Sequence, residues 1–125
     1  MLSDRRIHAT IPVADLDRAR AWYADKLALE PVEEGPGGLF YECAEGTRFI
    51  LFPTPSAGTA QNTAMGFVVP DIEAEVKELR GRGVAFEEYD YPTLKTVDGI
   101  ATTGPIRAAW FKDSEGNTIG VVQLS

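Results

Sequence analysis

The chain carries an internal repeat, and that repeat limits the folds open to it more than any other feature. Residues 6–31 read RIHATIPVADLDRARAWYADKLALEP, and residues 64–87 read AMGFVVPDIEAEVKELRGRGVAFE. Ile11-Pro12-Val13-Ala14-Asp15-Leu16 is answered by Phe67-Val68-Val69-Pro70-Asp71-Ile72, with Asp15 and Asp71 standing 56 residues apart. Leu29 and Phe86 are 57 apart, so the register drifts by one. A repeat of this length in 125 residues implies two similar halves.

Each half opens in the same way. Ile7, Ala9, Ile11 and Val13 alternate with Arg6, His8, Thr10 and Pro12, which predicts a strand with one apolar face. Asp15 is placed to cap a helix, because its carboxylate can accept from free helix N–H groups at the positive end of the dipole. Leu16, Ala19, Tyr23 and Leu27 then fall on one helical stripe, bordered by Trp22. In the second half residues 65–69 form the strand and Asp71 the cap. Ile72, Val76 and Leu79 form the stripe, and Gly81 and Gly83 the stop.

The remainder of each half reads as strands and turns. Residues 33–38, EEGPGG, read as a loop, residues 39–43 and 48–52 as a hairpin, and residues 54–63 as an exposed, mobile linker. Residues 84–91 are extended. Residues 92–104 read as a long loop or lid, with turn signals at Asp98-Gly99 and Gly104-Pro105. Residues 106–112 and 118–124 pair across a tight turn at Asp113–Asn117. The expected class is α+β: one domain over residues 1–125, with modules at about 5–53 and 64–124, each strand–helix–strand–strand–strand. Sheets from two such modules can face one another, with helices on their outer faces.

Charge and composition narrow the partners. Nineteen acidic residues against 12 basic ones give a net charge of −7, which disfavours nucleic acid. No apolar run approaches a membrane span, and the N-terminal residues lack a signal-peptide core. The single Cys43 forms no internal disulfide, so the expected location is the cytoplasm.

Two stretches, VADLDRARAWYADKLALEPV and AAWFKDSEGNTIGVVQ, resemble the vicinal oxygen chelate superfamily, and the echo VVPDIEAEVKELRGRGV is in the same style. That group includes glyoxalase I, extradiol dioxygenases and the bleomycin- and fosfomycin-resistance proteins. The Asp-x-x-Gly-Asn turn with Phe before it is the most specific piece. The resemblance implies two βαβββ modules whose sheets form a cup, and pairing into homodimers. In the family's enzymes the cup holds a divalent metal, with one ligand from the first and one from the last strand of each module.

Carried onto this chain, the resemblance puts His8 at the first-strand position, and the offset of 56 takes it to Ala64. The family's closing glutamate falls at Gly120, and the turn glycines Gly46 and Gly116 carry that position back to Ile50. One imidazole among Ile50, Ala64 and Gly120 is too few donors for a catalytic metal, so no metal or other cofactor is expected. The parity of the pleat gathers His8, Thr10, Arg48, Ile50, Phe52, Ala64, Gly66, Gly120 and Val122 on the inner face, with Trp110 or Phe111 as an aromatic wall and Tyr91 on the long loop above. Ala64, Gly66 and Gly120 leave space there, which suits an apolar or aromatic small molecule. His8 is the only candidate acid–base. The expected function is metal-independent small-molecule binding. The alternative is a metal-dependent lyase, isomerase or dioxygenase of the same superfamily, and a third reading is a protein that pairs with another through Trp22 or a sheet edge.

Overall fold

The computed structural model describes residues 1–125 and turns the repeated sequence layout into the same structure twice. In the first module β1 (His8–Val13) leads into α1 (Leu16–Leu27), followed by β2 (Glu33–Gly35), β3 (Gly38–Glu42) and β4 (Arg48–Pro53). In the second, β5 (Thr63–Val68) leads into α2 (Ile72–Gly81). Then come β6 (Asp90–Tyr91), β7 (Leu94–Val97), β8 (Ile100–Thr103), β9 (Ile106–Lys112) and β10 (Thr118–Gln123). Both caps form as the sequence predicts: Asp15 accepts from the Arg18 N–H at 3.0 Å, and Asp71 from the Ala74 N–H at 3.2 Å. Helix α1 stops where Ala28 turns left-handed (φ 57°) and the Leu29 N–H bonds back to the Tyr23 carbonyl.

The first sheet has the order β1-β4-β3-β2 and the second β5-β10-β9-β8-β7-β6. In each, the opening strand runs parallel to the module's closing strand, and the other pairs are antiparallel. The α+β class with two related modules therefore holds.

Three local expectations change. Glu33–Gly35 is a strand paired with β3, not part of a loop; only Pro36 and Gly37 turn. Residues 92–104 are not a lid, because they contribute β7 and β8 and widen the second sheet to six strands. Asp98 and Gly99, with φ of 52° and 81°, are the two left-handed residues that a tight hairpin turn favours. Ile7 does not join the apolar face: it precedes β1 and is 91% exposed. Residues 54–62 are connecting turns, as expected, but they do not float free. Gly58 rests on the Glu115 carbonyl so closely that a Cβ there would lie 2.6 Å from it.

The helix-bearing faces of the two sheets share one core. Ile11, Val13, Ala19, Tyr23, Tyr41, Phe49 and Leu51 fill the first module, and Ile72, Val76, Phe111, Ile119 and Val121 the second. Each large apolar side chain buried this way contributes roughly 1.5–3 kcal/mol. Trp22, Leu27, Met65 and Phe67 pack against both clusters. Ring contacts bridge the modules: Trp22 lies 6.1 Å from Phe111, and Phe49 6.4 Å from Phe67.

A polar clasp reinforces that junction. The buried Glu115 carboxylate accepts from the Ala14 and Asp15 N–H groups and from two nitrogens of Arg18, all at 2.9 Å. Asn117 donates to the Pro12 carbonyl at 2.8 Å, and the Tyr23 hydroxyl to Asp113 at 2.7 Å. The tight turn between β9 and β10 thus holds the start of α1, a role its local sequence does not reveal.

Candidate ligand-binding faces

Strand alternation leaves one face of each sheet free of helices. On the first sheet the β1–β4 register pairs His8 with Arg48, Thr10 with Ile50 and Pro12 with Phe52. The β3–β4 register adds Glu42 beside Arg48 and Phe40 beside Ile50. His8, Thr10, Arg48, Ile50 and Phe52 therefore share one face, as their parity predicts. Arg48 is not free to meet a ligand unaided. Its Nε donates to Glu42 at 3.0 Å and its Nη1 to Glu33 at 3.2 Å, and the Glu42 bond leads in holding the guanidinium pKa above its ordinary value.

On the second sheet Gly66, Gly120 and Trp110 stand side by side across three strands, and Val68, Val122 and Ala108 form the next row. The register settles the aromatic wall: Trp110 lies on the open face, and Phe111 is buried beneath α2. The space expected at Gly120 is not empty. The Trp110 indole covers it, with Cδ1 and Nε1 each 3.4 Å from where a Cβ would stand, and the Thr63 methyl is at 3.5 Å. Gly66 keeps its room, meeting only the Gly120 carbonyl at 3.8 Å. Ala64 is exposed and sits where the β5–β10 register shifts.

Tyr91 is a strand residue of β6 rather than a lid residue, and it is 59% exposed. It stacks on Tyr89, whose ring in turn meets Trp110 edge-on at 5.7 Å. Tyr89 and Lys112 are members of this face that the sequence reading missed. Tyr89 lies two residues before Tyr91, and that alternation is a signal which could have found it. Lys112 is cross-strand from Thr118 and donates to its hydroxyl at 2.5 Å.

The candidate residues thus form two groups, one on each sheet. Every hydrogen bond and ring contact between the modules is made by other residues: Arg18, Asp25, Arg82, Glu115, Asn117, Tyr23, Asp113, Trp22, Phe111, Phe49 and Phe67, with backbone groups of residues 12–15. Neither open face carries a helix, although Ile50, Ala101, Thr118 and Gly120 on them are already buried by neighbouring side chains.

The four positions where the family resemblance places ligands hold His8, Ile50, Ala64 and Gly120, which offer a single donor side chain. Glu42, the acid best placed to add a donor, is engaged by Arg48. Nowhere in the structure do three His, Cys, Asp or Glu side chains converge. Cys43 is no better as a nucleophile, since burial pushes its thiol pKa up.

Comparison with known proteins agrees with this architecture. A sequence profile of the Glyoxalase/Bleomycin resistance protein/Dioxygenase superfamily matches residues 5–121. No curated protein matches the chain in sequence. Among solved structures the chain resembles UcmS2 at 22% identity and a TM-score of 0.74, covering 97% of this chain and 98% of that one. It also resembles TnmS3, an antibiotic binding protein from Streptomyces sp. CB03234, at 22% identity and a TM-score of 0.70, covering 97% and 96%. Lactoylglutathione lyase from Agrobacterium tumefaciens matches at 23% identity and a TM-score of 0.63, covering 95% and 92%. At these identities the likeness is one of fold.

Proposed function

The chain belongs to the Glyoxalase/Bleomycin resistance protein/Dioxygenase superfamily, and we propose that within it this protein is a metal-independent binder of an apolar or aromatic small molecule. The observation that carries the reading is the pairing of an aromatic wall with a donor-poor floor. Trp110, Tyr89 and Tyr91 are linked by ring contacts beside Gly66 and Gly120, and Gly120 stands at a position where a metalloenzyme of this family would need a ligand. Aromatic rings reward a flat apolar partner by area and by offset or edge-on contact. The likeness to an antibiotic binding protein points the same way.

The uncovered faces support a homodimer. In this proposal the first sheet of one copy closes over the second sheet of the other. His8, Thr10, Ile50 and Phe52 then face Gly66, Trp110, Gly120 and Val122 across the ligand, and His8 and Thr10 supply its polar anchors. The net charge of −7 favours a neutral or cationic ligand over an anionic one at these faces.

The test is metal analysis of protein purified without added metal, then after loading with zinc, nickel, iron and manganese, with a His8→Ala control. The expected result is substoichiometric metal, and aromatic-ligand binding that chelator leaves unchanged and Trp110→Ala weakens by about tenfold, roughly the loss of one stacked ring contact. Stoichiometric metal that His8→Ala abolishes would overturn the proposal and favour a lyase or dioxygenase instead.

A further inference from the structure

The protein is strongly acidic, yet one concave surface runs against that sign. Strands β7 and β8 carry the second sheet past α2, so their helix-side face has no helix above it. Between α2 and this overhang lies a trough of about 640 Å³. Lys77, Arg80, Lys95 and Arg107 line it, against the carboxylates of Glu73 and Asp98. Four of the chain's 12 basic residues thus meet in one place. Cross-strand pairing fixes their side: Val97 pairs with Ile100 and Thr102 with Arg107 on the trough face, while Thr96 and Ala101 look to the opposite, open face.

The four cations are not equally committed. Arg107 is paired with Glu73 at 2.8 Å and Lys95 with Asp90 at 3.4 Å. Lys77 has no ion-pair partner. Arg80 donates one Nη2 hydrogen to the Asp98 backbone carbonyl at 2.9 Å and lies over the Phe86 ring at 5.5 Å. Its plane is therefore fixed by a carbonyl and a ring, and neither neutralises its charge. Glu88, the other carboxylate near this turn, attracts Arg80 only through space: it makes no ion pair with it and accepts instead from the Thr96 hydroxyl at 2.6 Å and the Gly99 N–H at 2.7 Å. Lys77 and Arg80, one helical turn apart on α2, are left pointing charge into the trough. Beside them Val97 is 73% exposed and Ile100 half-buried, forming an apolar strip that nothing covers.

We propose that this trough is a second ligand site, separate from the open faces, for a small organic anion. A carboxylate or phosphate head meets Lys77 and the pre-oriented guanidinium of Arg80, and an apolar or aromatic body lies along Val97 and Ile100. A fixed guanidinium can take such a head through two parallel N–H bonds, which a freely rotating cation cannot. This ligand class is anionic, whereas the open faces favour a neutral or cationic one, so the two sites take different ligands.

The test is a titration of isotope-labelled protein, followed by amide chemical shifts, with phenyl phosphate, benzoate and the neutral isostere benzyl alcohol. Both anions are expected to give saturable shifts at residues 73–80, 95–102 and 107, and to bind more weakly as salt rises. Benzyl alcohol is expected to give none there. Lys77→Gln should weaken phenyl phosphate about threefold, and Val97→Asp, which puts an anion on an exposed strand position, about tenfold. Equal shifts from benzyl alcohol at residues 73–80, 95–102 and 107, or no saturable shift there with either anion, would each overturn the proposal. None of these results depends on whether the open faces bind a ligand.

Discussion

Glu115 couples the two ends of the structure through a single carboxylate, and it is the residue most exposed to acid. The Arg18 guanidinium, with the Asp15, Ser114 and Ala14 donors, holds its pKa at about 2, against an ordinary value of 4.5. Between those values the unfolded chain binds a proton that the folded chain refuses. The clasp therefore stabilises fully above about pH 5 and fades as pH falls toward 2. Its worth is on the order of 2 kcal/mol, reduced because Arg18 is half-exposed. Glu115→Gln should cost about that much at pH 7 by urea denaturation, and the gap from wild type should close as pH falls from 5 to 2. A gap that stays constant with pH would mean the carboxylate's charge is not what holds α1. Ala28 tests a different residue-scale term. It holds the left-handed position that ends α1 without being glycine. Ala28→Gly should raise stability by about 1 kcal/mol, read as a higher melting temperature.

At the scale of elements, the two openings of the modules were legible and the extra strands were not. Asp15 and Asp71 announce their helices because a cap is a local device, and the alternation of Ala9, Ile11 and Val13 announces a strand because one side of it is buried. Glu33–Gly35 and Leu94–Val97 are short and rich in polar residues or bounded by Gly and Pro; the first is exposed throughout and the second only half-buried on one side, so neither leaves a strong periodic signal. Which candidates share a side of their own sheet was legible as parity; that they form two groups, one on each sheet, and that Trp110 would lie over Gly120 was not, because both depend on how strands distant in sequence are placed. The Asp98-Gly99 turn sets the shape of the trough and can be tested alone. A Cβ at Gly99 would stand 3.0 Å from an Arg80 nitrogen and 3.1 Å from the Phe86 Cβ, at a φ of 81°. Gly99→Val should cost about 2 kcal/mol by thermal denaturation and release Arg80 from its fixed plane, weakening phenyl phosphate as well.

At the scale of the whole molecule, the helix-side core binds the modules together and the helix-free faces remain open. If those faces close on a second copy, sedimentation should give a dimer of about 27 kDa from a chain of 13.6 kDa. Thr10→Arg should then shift it to monomer while leaving its far-ultraviolet circular dichroism unchanged. A wild-type protein that sediments as a monomer at high micromolar concentration would remove the second-copy part of the proposal. The strand order has a consequence for how the protein is made. In both sheets the module's closing strand lies directly beside its opening one, β4 against β1 and β10 against β5. The turn that carries the clasp comes just before β10. A chain emerging from the ribosome can neither join β5 to the rest of its second sheet nor seal the start of its first helix until residues past Asn117 are out.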